Sequence, residues 1–91
     1  MPDTAATYSV YLVRCADRSL YCGIARDVAA RIIQHNESAR GARYTRSRRP
    51  VALVYSAPCG TRSDAQKREH AIKKLSRAAK EQLIAAPRIA L

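Results

Sequence analysis

Five side chains, spread widely over the 91 residues of the chain, are of types that could together act on a phosphodiester. A guanidinium neutralises phosphate oxygens, an imidazole or a phenol accepts a proton, and a carboxylate holds a divalent ion. These types are supplied by Tyr11, Tyr21, Arg31, His35 and Glu69. Each residue alone has a plainer explanation, so the functional hypothesis depends on the combination.

Arg31 and His35 are expected on one face of the first helix. Asp27 is a good N-cap, and apolar residues at steps of four predict a helix that runs to about Ser38. Arg31 and His35 are four residues apart, so they lie next to the apolar stripe on the same side. The plainer interpretation is a solvated arginine and a surface histidine.

Glu69 is predicted to lie on the core side of a later helix. The apolar positions of that helix are Ala65, Ile72 and Leu75. Glu69 comes four residues after Ala65 and three before Ile72, which places it within their stripe. A carboxylate there is costly unless it meets a cation. Two interpretations follow: a salt bridge to a nearby arginine, or a metal ligand.

Tyr11 and Tyr21 fall in the two strands of a predicted hairpin. Side chains alternate between the faces of a strand, so the two tyrosines share a face only if odd-numbered positions pair with odd ones. A three-residue loop over 17–19, which would place Cys15 opposite Tyr21, meets this condition. A two-residue loop would separate the tyrosines.

Strand patterns, helix caps and turn residues predict the order of the secondary-structure elements. The predicted elements are strands over 8–13, 20–24 and 51–55 and helices over 28–38, 64–74 and 77–86. Ser63 and Gln66 form a candidate capping box for the second helix, and Ser76 is a candidate cap for the third. The order ββαβαα predicts an α+β fold with a three-stranded mixed or antiparallel sheet packed with helices.

The length allows one small domain, expected over 8–86, with a flexible lead-in over 1–7 and a tail over 87–91. The apolar runs are too short for a membrane span or a signal peptide, so we expect a cytoplasmic protein that does not bind membranes. The three cysteines are expected to be reduced and half-buried, since none of their spacings is typical of a zinc site.

The charge balance favours a nucleic-acid partner. Lys and Arg number 17 against 7 Asp and Glu, a net charge of +10, and phosphate contacts by such residues release counterions. An arginine-rich segment over 40–49, interpreted as a loop with room for one helical turn, supplies candidate binding residues. They are Arg43, Tyr44, Arg46, Arg48 and Arg49. For Tyr44, phosphate contact or base stacking competes evenly with packing.

The spacing of these residues resembles a known family. Ser9-Val10-Tyr11 and Tyr21-Cys22-Gly23, followed by Arg31, His35 and Glu69, resemble the GIY-YIG nuclease domain. The stretches 41–45, 48–50 and 53–55, and Glu69 followed by 72–75, look like the small stand-alone bacterial proteins of that family in particular. The resemblance covers roughly residues 8–84. Ser9, Val10 and Cys22 depart from the usual triplets, and the late Asn of the larger enzymes has no clear counterpart after Glu69.

The resemblance implies a metal-dependent endonuclease that hydrolyses DNA phosphodiester bonds, with a role in DNA repair or recombination and RNA as a further possible substrate. It implies that Glu69 holds Mg²⁺ or Mn²⁺, that Arg31 neutralises the phosphoryl oxygens and that Tyr21 positions water or phosphate. Tyr11 is the leading general base, with His35 as its rival or helper. Tyr11 would need a nearby cation to lower its pKa. A partner protein could target the domain to DNA.

Two other functions remain open from the sequence. A non-catalytic nucleic-acid-binding module with a degenerate nuclease site would keep the basic surface, and the missing late Asn favours it. A small domain that binds an acidic protein would need only the charge.

Overall fold

A computed structural model describes residues 7–38 and 42–86 of the chain. Its centre is a three-stranded antiparallel sheet in the order β2-β1-β3. The elements are β1 (Tyr8–Arg14), β2 (Leu20–Ala25), α1 (Val28–Glu37), α2 (Arg43–Arg46), β3 (Ala52–Gly60), α3 (Arg62–Lys73) and α4 (Arg77–Ala85). The α+β class and the predicted order are confirmed, with α2 as the helical turn inside the arginine-rich segment.

The hairpin register puts both tyrosines on one face of the sheet. Tyr11 pairs with Gly23 and Val13 pairs with Tyr21, so odd positions face odd ones as the hypothesis required. The expected pairing of Cys15 with Tyr21 is wrong, because Tyr21 pairs with Val13, two residues earlier. A shift of two residues still pairs odd positions with odd ones, so both tyrosines stay on the same face. The loop still has three residues, now 16–18, and is closed by a hydrogen bond of 2.9 Å from the Cys15 N–H to the Ser19 carbonyl. Arg18, its last residue, adopts a positive φ of 69°, a conformation that three-residue hairpin loops favour.

The two faces of the sheet are covered by different helices. One core cluster, on the side of α3 and α4, is formed by Val10, Leu12, Cys22, Tyr55 and Ile72. The other, on the side of α1, is formed by Tyr11, Val13, Cys15 and Val51, with Tyr21, Val28 and Ile32 packed against it. The sheet therefore separates α1 from α3, and the side chains of alternate residues of β1 reach opposite layers. All three cysteines are free, and Cys15 and Cys22 are buried rather than half-buried.

β3 is longer than predicted because it continues through Pro58, where the sequence indicated an end. Pro58 lies opposite Ser9 on an edge strand, where a missing N–H is tolerated. Just before β3, the Asn36 amide of α1 accepts from the Val51 N–H at 2.7 Å and donates to the Val51 carbonyl at 3.0 Å. This pair of hydrogen bonds ties α1 to the start of β3.

The helix caps agree with the sequence in two cases and differ in one. Asp27 caps α1 and Ser76 caps α4, as predicted. The capping box of α3 is formed by Thr61 and Asp64 instead of Ser63 and Gln66, since Thr61 is the last residue with an extended backbone. α3 therefore starts earlier and ends at Lys73, and Leu75, expected in its core stripe, is 38% exposed beyond the helix end.

The predicted lead-in, apart from Thr7, and the predicted tail over 87–91 lie outside the described residues, as do Arg40 and Gly41 of the arginine-rich segment. Within the described ranges, no helix is both long and apolar enough to cross a membrane.

The position of the α3 cap predicts which hydroxyl stabilises the helix. Thr61→Ala should lower the free energy of unfolding by about 1 kcal/mol, because it leaves the N–H of Asp64, in the first turn of α3, without its acceptor. Ser63→Ala, a matched control inside the same turn, should cost less than half as much. Urea unfolding of the two variants measures the difference, and equal losses would contradict the Thr61 cap.

Candidate active site

The centre of the candidate site is a buried hydrogen bond between the first strand and the first helix. The Tyr11 hydroxyl lies 2.7 Å from Nε2 of His35, and the two residues are 1% and 0% exposed. Gly23 makes this contact possible, because a Cβ at that position would lie 2.5 Å from the Tyr11 hydroxyl oxygen and 2.7 Å from Cζ. The glycine is needed for space, so that the Tyr11 ring can cross the neighbouring strand.

Tyr21 and Arg31 complete the group around this bond. The Tyr21 ring meets the His35 ring edge-on, with centroids 5.4 Å apart. The half-buried Arg31 guanidinium forms a hydrogen bond with the Tyr11 hydroxyl and also donates to Oε1 of Gln34 at 2.8 Å. Four of the five predicted catalytic residues are therefore brought together on the α1 side of the sheet.

The protonation of the central pair is set mainly by burial. Burial raises the pKa of Tyr11 to about 12, although the Arg31 hydrogen bond and charge act to lower it. Burial, assisted by the charges of Arg31 and Arg49, lowers the pKa of His35 to about 4. At neutral pH Tyr11 is a phenol and His35 a neutral imidazole. The cation that Tyr11 was expected to need is present, but desolvation outweighs it.

His35 is also held from its other side by a residue that the sequence analysis missed. Nδ1 of His35 lies 2.9 Å from Oγ1 of Thr45, which is itself fully buried. No spacing rule connects a threonine of α2 with a histidine of α1, so the sequence offered no signal for this contact. The surface histidine that was the plainer alternative is excluded.

Glu69 lies on the other side of the sheet. It belongs to α3, its side chain is 21% exposed, and it forms an ion pair with Lys73 at 3.2 Å. The salt bridge considered from the sequence is thus present, with a lysine one turn later instead of an arginine. Glu69 is close enough to edge strand β2 to help burial raise the pKa of the Cys22 thiol to about 11. It is not seen in contact with the Tyr11 group.

The metal-binding capacity of the described residues is limited to isolated carboxylates. No group of three or more His, Cys, Asp or Glu side chains comes together within 7–38 and 42–86. A lone carboxylate such as Glu69 fits Mg²⁺ or Mn²⁺, because such hard ions take most of their ligands from water and phosphate oxygens. Glu69 does not fit a zinc site, which needs three or four protein ligands.

The arginine-rich segment is partly built into the protein. Arg49 is half-buried and donates to the carbonyls of His35, at 2.5 Å, and Ser38. Arg48 donates to the Asp17 carboxylate at 3.0 Å and to the Tyr44 carbonyl at 2.7 Å. Both guanidinium groups are therefore already engaged within the protein, Arg49 by backbone carbonyls and Arg48 by a backbone carbonyl and the Asp17 carboxylate.

Tyr44 is engaged in a similar way. Its ring stacks on Tyr21, with centroids 5.8 Å apart, and the Arg48 guanidinium lies 3.9 Å from its centroid. Packing is therefore the role that the geometry favours, since a nucleic-acid base would have to displace one of these neighbours. Arg43 and Arg46 remain exposed on the same helical turn.

Most acidic side chains of the described residues cap helices or form ion pairs, so the remaining surface charge is positive. Asp27 and Asp64 cap helices, Asp17 and Glu69 form ion pairs, and Glu81 binds Arg14 through two hydrogen bonds of 2.7 Å. The exposed cations in the described part of the chain then dominate the field. They include Arg26, Arg43, Arg46, Arg62, Lys67, Arg68 and Lys74.

Known proteins share this sequence and architecture. The model of the GIY-YIG catalytic domain matches residues 7–82. A UPF0213 protein of Desulfotalea psychrophila is 60% identical over 86 residues, which cover 93% of this chain and 78% of that protein. A UPF0213 protein of Staphylococcus saprophyticus is 52% identical over 75 residues, which cover 82% of this chain and 90% of that protein.

A solved structure agrees as well. The solution NMR structure of a UPF0213 protein from Bacillus halodurans has 40% sequence identity and a TM-score of 0.56, covering 87% of this chain and 83% of that one. The sheet, the tyrosine pair and these matches define a GIY-YIG domain, a nuclease family, and the chain belongs to it. Within that family it is similar to the small stand-alone UPF0213 proteins.

The contact between Tyr11 and Gly23 predicts a strong coupling between the two positions. Gly23→Ala should lower the free energy of unfolding by about 1–3 kcal/mol, because the new methyl group overlaps the Tyr11 ring. In a Tyr11→Ala background the same substitution should cost much less, since the ring is gone. A double-mutant cycle by urea unfolding measures the coupling, and equal costs in the two backgrounds would show that Gly23 is not required for space.

The low pKa of His35 predicts acid-sensitive stability. The unfolded chain takes up the proton near the ordinary pKa of about 6.5, whereas the folded protein resists it down to about 4. The contribution of the neutral His35 to the free energy of unfolding is therefore fully present above about pH 6.5 and is lost as the pH drops toward 4. The loss is on the order of 3 kcal/mol, at about 1.4 kcal/mol per pKa unit.

The check is urea unfolding from about pH 7.5 to about pH 4. His35→Gln should be less stable at neutral pH and should lose this share of the acid dependence. His70→Gln, at an exposed position on α3, is the matched control and should keep the acid dependence of the wild type. If His70→Gln and not His35→Gln flattened the profile, the assignment to His35 would be wrong.

Proposed function

We propose that the protein is a divalent-metal-dependent endonuclease that hydrolyses phosphodiester bonds in DNA. The observation that supports this function most directly is the buried bond between Tyr11 and His35 with the Arg31 guanidinium against the same hydroxyl. A proton-accepting pair beside a phosphate-binding cation is the arrangement that hydrolysis of a phosphodiester requires.

In this mechanism Tyr11 is the group next to the attacking water. His35 is fully buried and enclosed by Tyr11, Tyr21 and Thr45, so it acts on the water through Tyr11. A free phenolate is costly at a pKa of about 12 and a buried imidazolium at a pKa of about 4, so the proton transfers have to occur together with attack. Tyr11 takes the proton from water while its own hydroxyl proton passes to Nε2 of His35.

Bond making and bond breaking follow from that proton transfer. The water oxygen bonds to phosphorus, and the bond from phosphorus to the 3′ oxygen breaks, which leaves a 5′-phosphate and a 3′-hydroxyl once solvent has protonated the leaving oxygen. Arg31 neutralises the charge that develops on the phosphoryl oxygens, and Tyr21 positions the water or the phosphate. His35 then returns the proton to solvent through Tyr11.

Glu69 is the proposed ligand for Mg²⁺ or Mn²⁺. A bound ion of this kind supplies positive charge for the phosphate and the leaving oxygen. Because Glu69 and the Tyr11 group lie on different sides of the sheet and Glu69 is close to β2, we place the scissile phosphate at the β2 edge, where both sides can be reached. Glu69 would have to leave Lys73 to bind the ion.

A second candidate, a non-catalytic nucleic-acid-binding module with a degenerate nuclease site, is favoured by one observation. Glu69 is paired with Lys73 instead of being directed toward the Tyr11 group. This function would keep the basic surface and lose turnover. The main proposal has four extensions, which depend on its test. They are cleavage of RNA, a role in DNA repair or recombination, a partner protein that targets the domain, and a cytoplasmic location.

Replacing Glu69 tests the enzyme against the module. We expect the wild type to nick supercoiled plasmid with Mg²⁺ or Mn²⁺ and to stop with EDTA, and Glu69→Gln to lose cleavage while binding DNA almost normally by fluorescence anisotropy. Glu37→Gln, at an exposed position on α1, is the matched control for the lost charge. Metal-dependent cleavage by Glu69→Gln would exclude the metal assignment, and binding without cleavage by the wild type would favour the module.

The two classes of arginine in the segment predict different defects. Arg43→Gln with Arg46→Gln should weaken binding to all DNA sequences and reduce the slope of log K against log[salt] by about 0.9 for each lost phosphate contact. Arg49→Gln should instead lower the free energy of unfolding, because its guanidinium holds backbone carbonyls of α1 and its C-cap. A salt slope that changes only in Arg49→Gln would reverse these assignments.

A further inference from the structure

Thr45 and His35 are the two fully buried polar residues of the described chain, and they contact each other. Thr45 lies on α2 and His35 on α1, with Oγ1 and Nδ1 separated by 2.9 Å. Oγ1 of Thr45 also lies 2.9 Å from the carbonyl oxygen of Ala42. The threonine hydroxyl is thus placed between a group that can only accept a hydrogen bond and a ring nitrogen that can either donate or accept.

Counting hydrogens decides the roles. The hydroxyl of Thr45 has one hydrogen, and it must point to the Ala42 carbonyl, since two oxygens at 2.9 Å without a hydrogen between them repel. Oγ1 then presents lone pairs to His35, so Nδ1 has to carry the ring proton. Nε2 is left as an acceptor, 2.7 Å from the Tyr11 hydroxyl, which donates to it.

One contact favours the opposite tautomer. The N–H of Ala42 points to Nδ1 of His35, with the two nitrogens 3.4 Å apart. This distance is beyond the usual range of N–H hydrogen bonds, whereas both contacts of Thr45 lie within the hydrogen-bonding range. The shorter contacts therefore dominate while Thr45 is present, and the amide of Ala42 becomes the stronger influence on Nδ1 if the hydroxyl is removed.

We propose that Thr45 is a positioning residue that fixes His35 in the tautomer protonated at Nδ1, so that Nε2 faces Tyr11 as a proton acceptor. Its catalytic consequence rests on the proposed function: only this tautomer can receive the Tyr11 proton when Tyr11 takes one from water. In the other tautomer Nε2 already carries a proton, and the transfer from Tyr11 has no acceptor. Thr45 touches neither the substrate nor Tyr11 in this role.

The tautomer can be measured without any assay of activity. Long-range ¹H–¹⁵N correlation spectra distinguish protonated from unprotonated ring nitrogens, and His70→Gln identifies the signals of His35, since the chain has only two histidines. At about pH 7.5 we expect the wild type to be protonated at Nδ1. Thr45→Ser keeps the hydroxyl and should keep this tautomer, whereas the nearly isosteric Thr45→Val should move the proton to Nε2.

Three spectroscopic results would each overturn the proposal: a wild type protonated at Nε2, an unchanged tautomer in Thr45→Val, or a reversed tautomer in Thr45→Ser. The wild-type and serine spectra decide the matter even if the valine variant does not fold.

The kinetic test uses the same variants on plasmid DNA. Thr45→Val should lower kcat by roughly tenfold to a hundredfold, the scale on which an orienting partner contributes to activity, with KM for DNA nearly unchanged. Thr45→Ser should restore most of the rate. If Thr45→Val has the reversed tautomer and a normal kcat, the proposed effect of the tautomer on catalysis is wrong. If the wild type does not cleave DNA while its tautomer is as stated, the proposed function fails and the structural role of Thr45 stands.

Discussion

The register that sets Tyr11 opposite Gly23 is the constraint on which the site depends. It turns both motif tyrosines toward α1, and the missing Cβ of Gly23 lets the Tyr11 ring cross to His35. A slip of one residue between the strands would turn every side chain of β2 to the opposite face and separate the pair. The register of the hairpin therefore decides whether the histidine and the arginine of α1 can meet the two tyrosines.

The segment between α1 and β3 has two structural roles that cannot be told apart from its composition. Thr45 and Arg49 face inward, where they hold His35 and the end of α1, while Arg43 and Arg46 stay exposed. The same short stretch thus forms the back wall of the site and part of the basic surface. The exposed part adds positive charge to the surface, because the acidic side chains of the described residues are largely engaged with other groups of the chain.

The sequence was sufficient to predict the class of fold, the order of the elements and four of the five residues considered for the candidate site that the structure brings together. Tyr11, Tyr21, Arg31 and His35 could be selected because motif spacing and helix periodicity are local properties. The predicted cap of α3 was wrong by two residues, since Thr61 and Ser63 can both cap a helix and only the extended backbone at Thr61 decides between them. Arg49 could not be separated from its neighbours, because adjacent arginines look alike until their hydrogen-bond partners are known.

By itself, the sequence determined the residue types of the site, their spacing, the parity needed for the tyrosines to share a face and the excess of positive charge. The tertiary structure alone decided that Glu69 and the Tyr11 group lie on different sides of the sheet, that Thr45 meets His35, and that burial keeps Tyr11 protonated and His35 neutral. The physical reason is that desolvation and hydrogen-bond pairing depend on residues distant along the chain, which become neighbours only when the sheet and its helices pack.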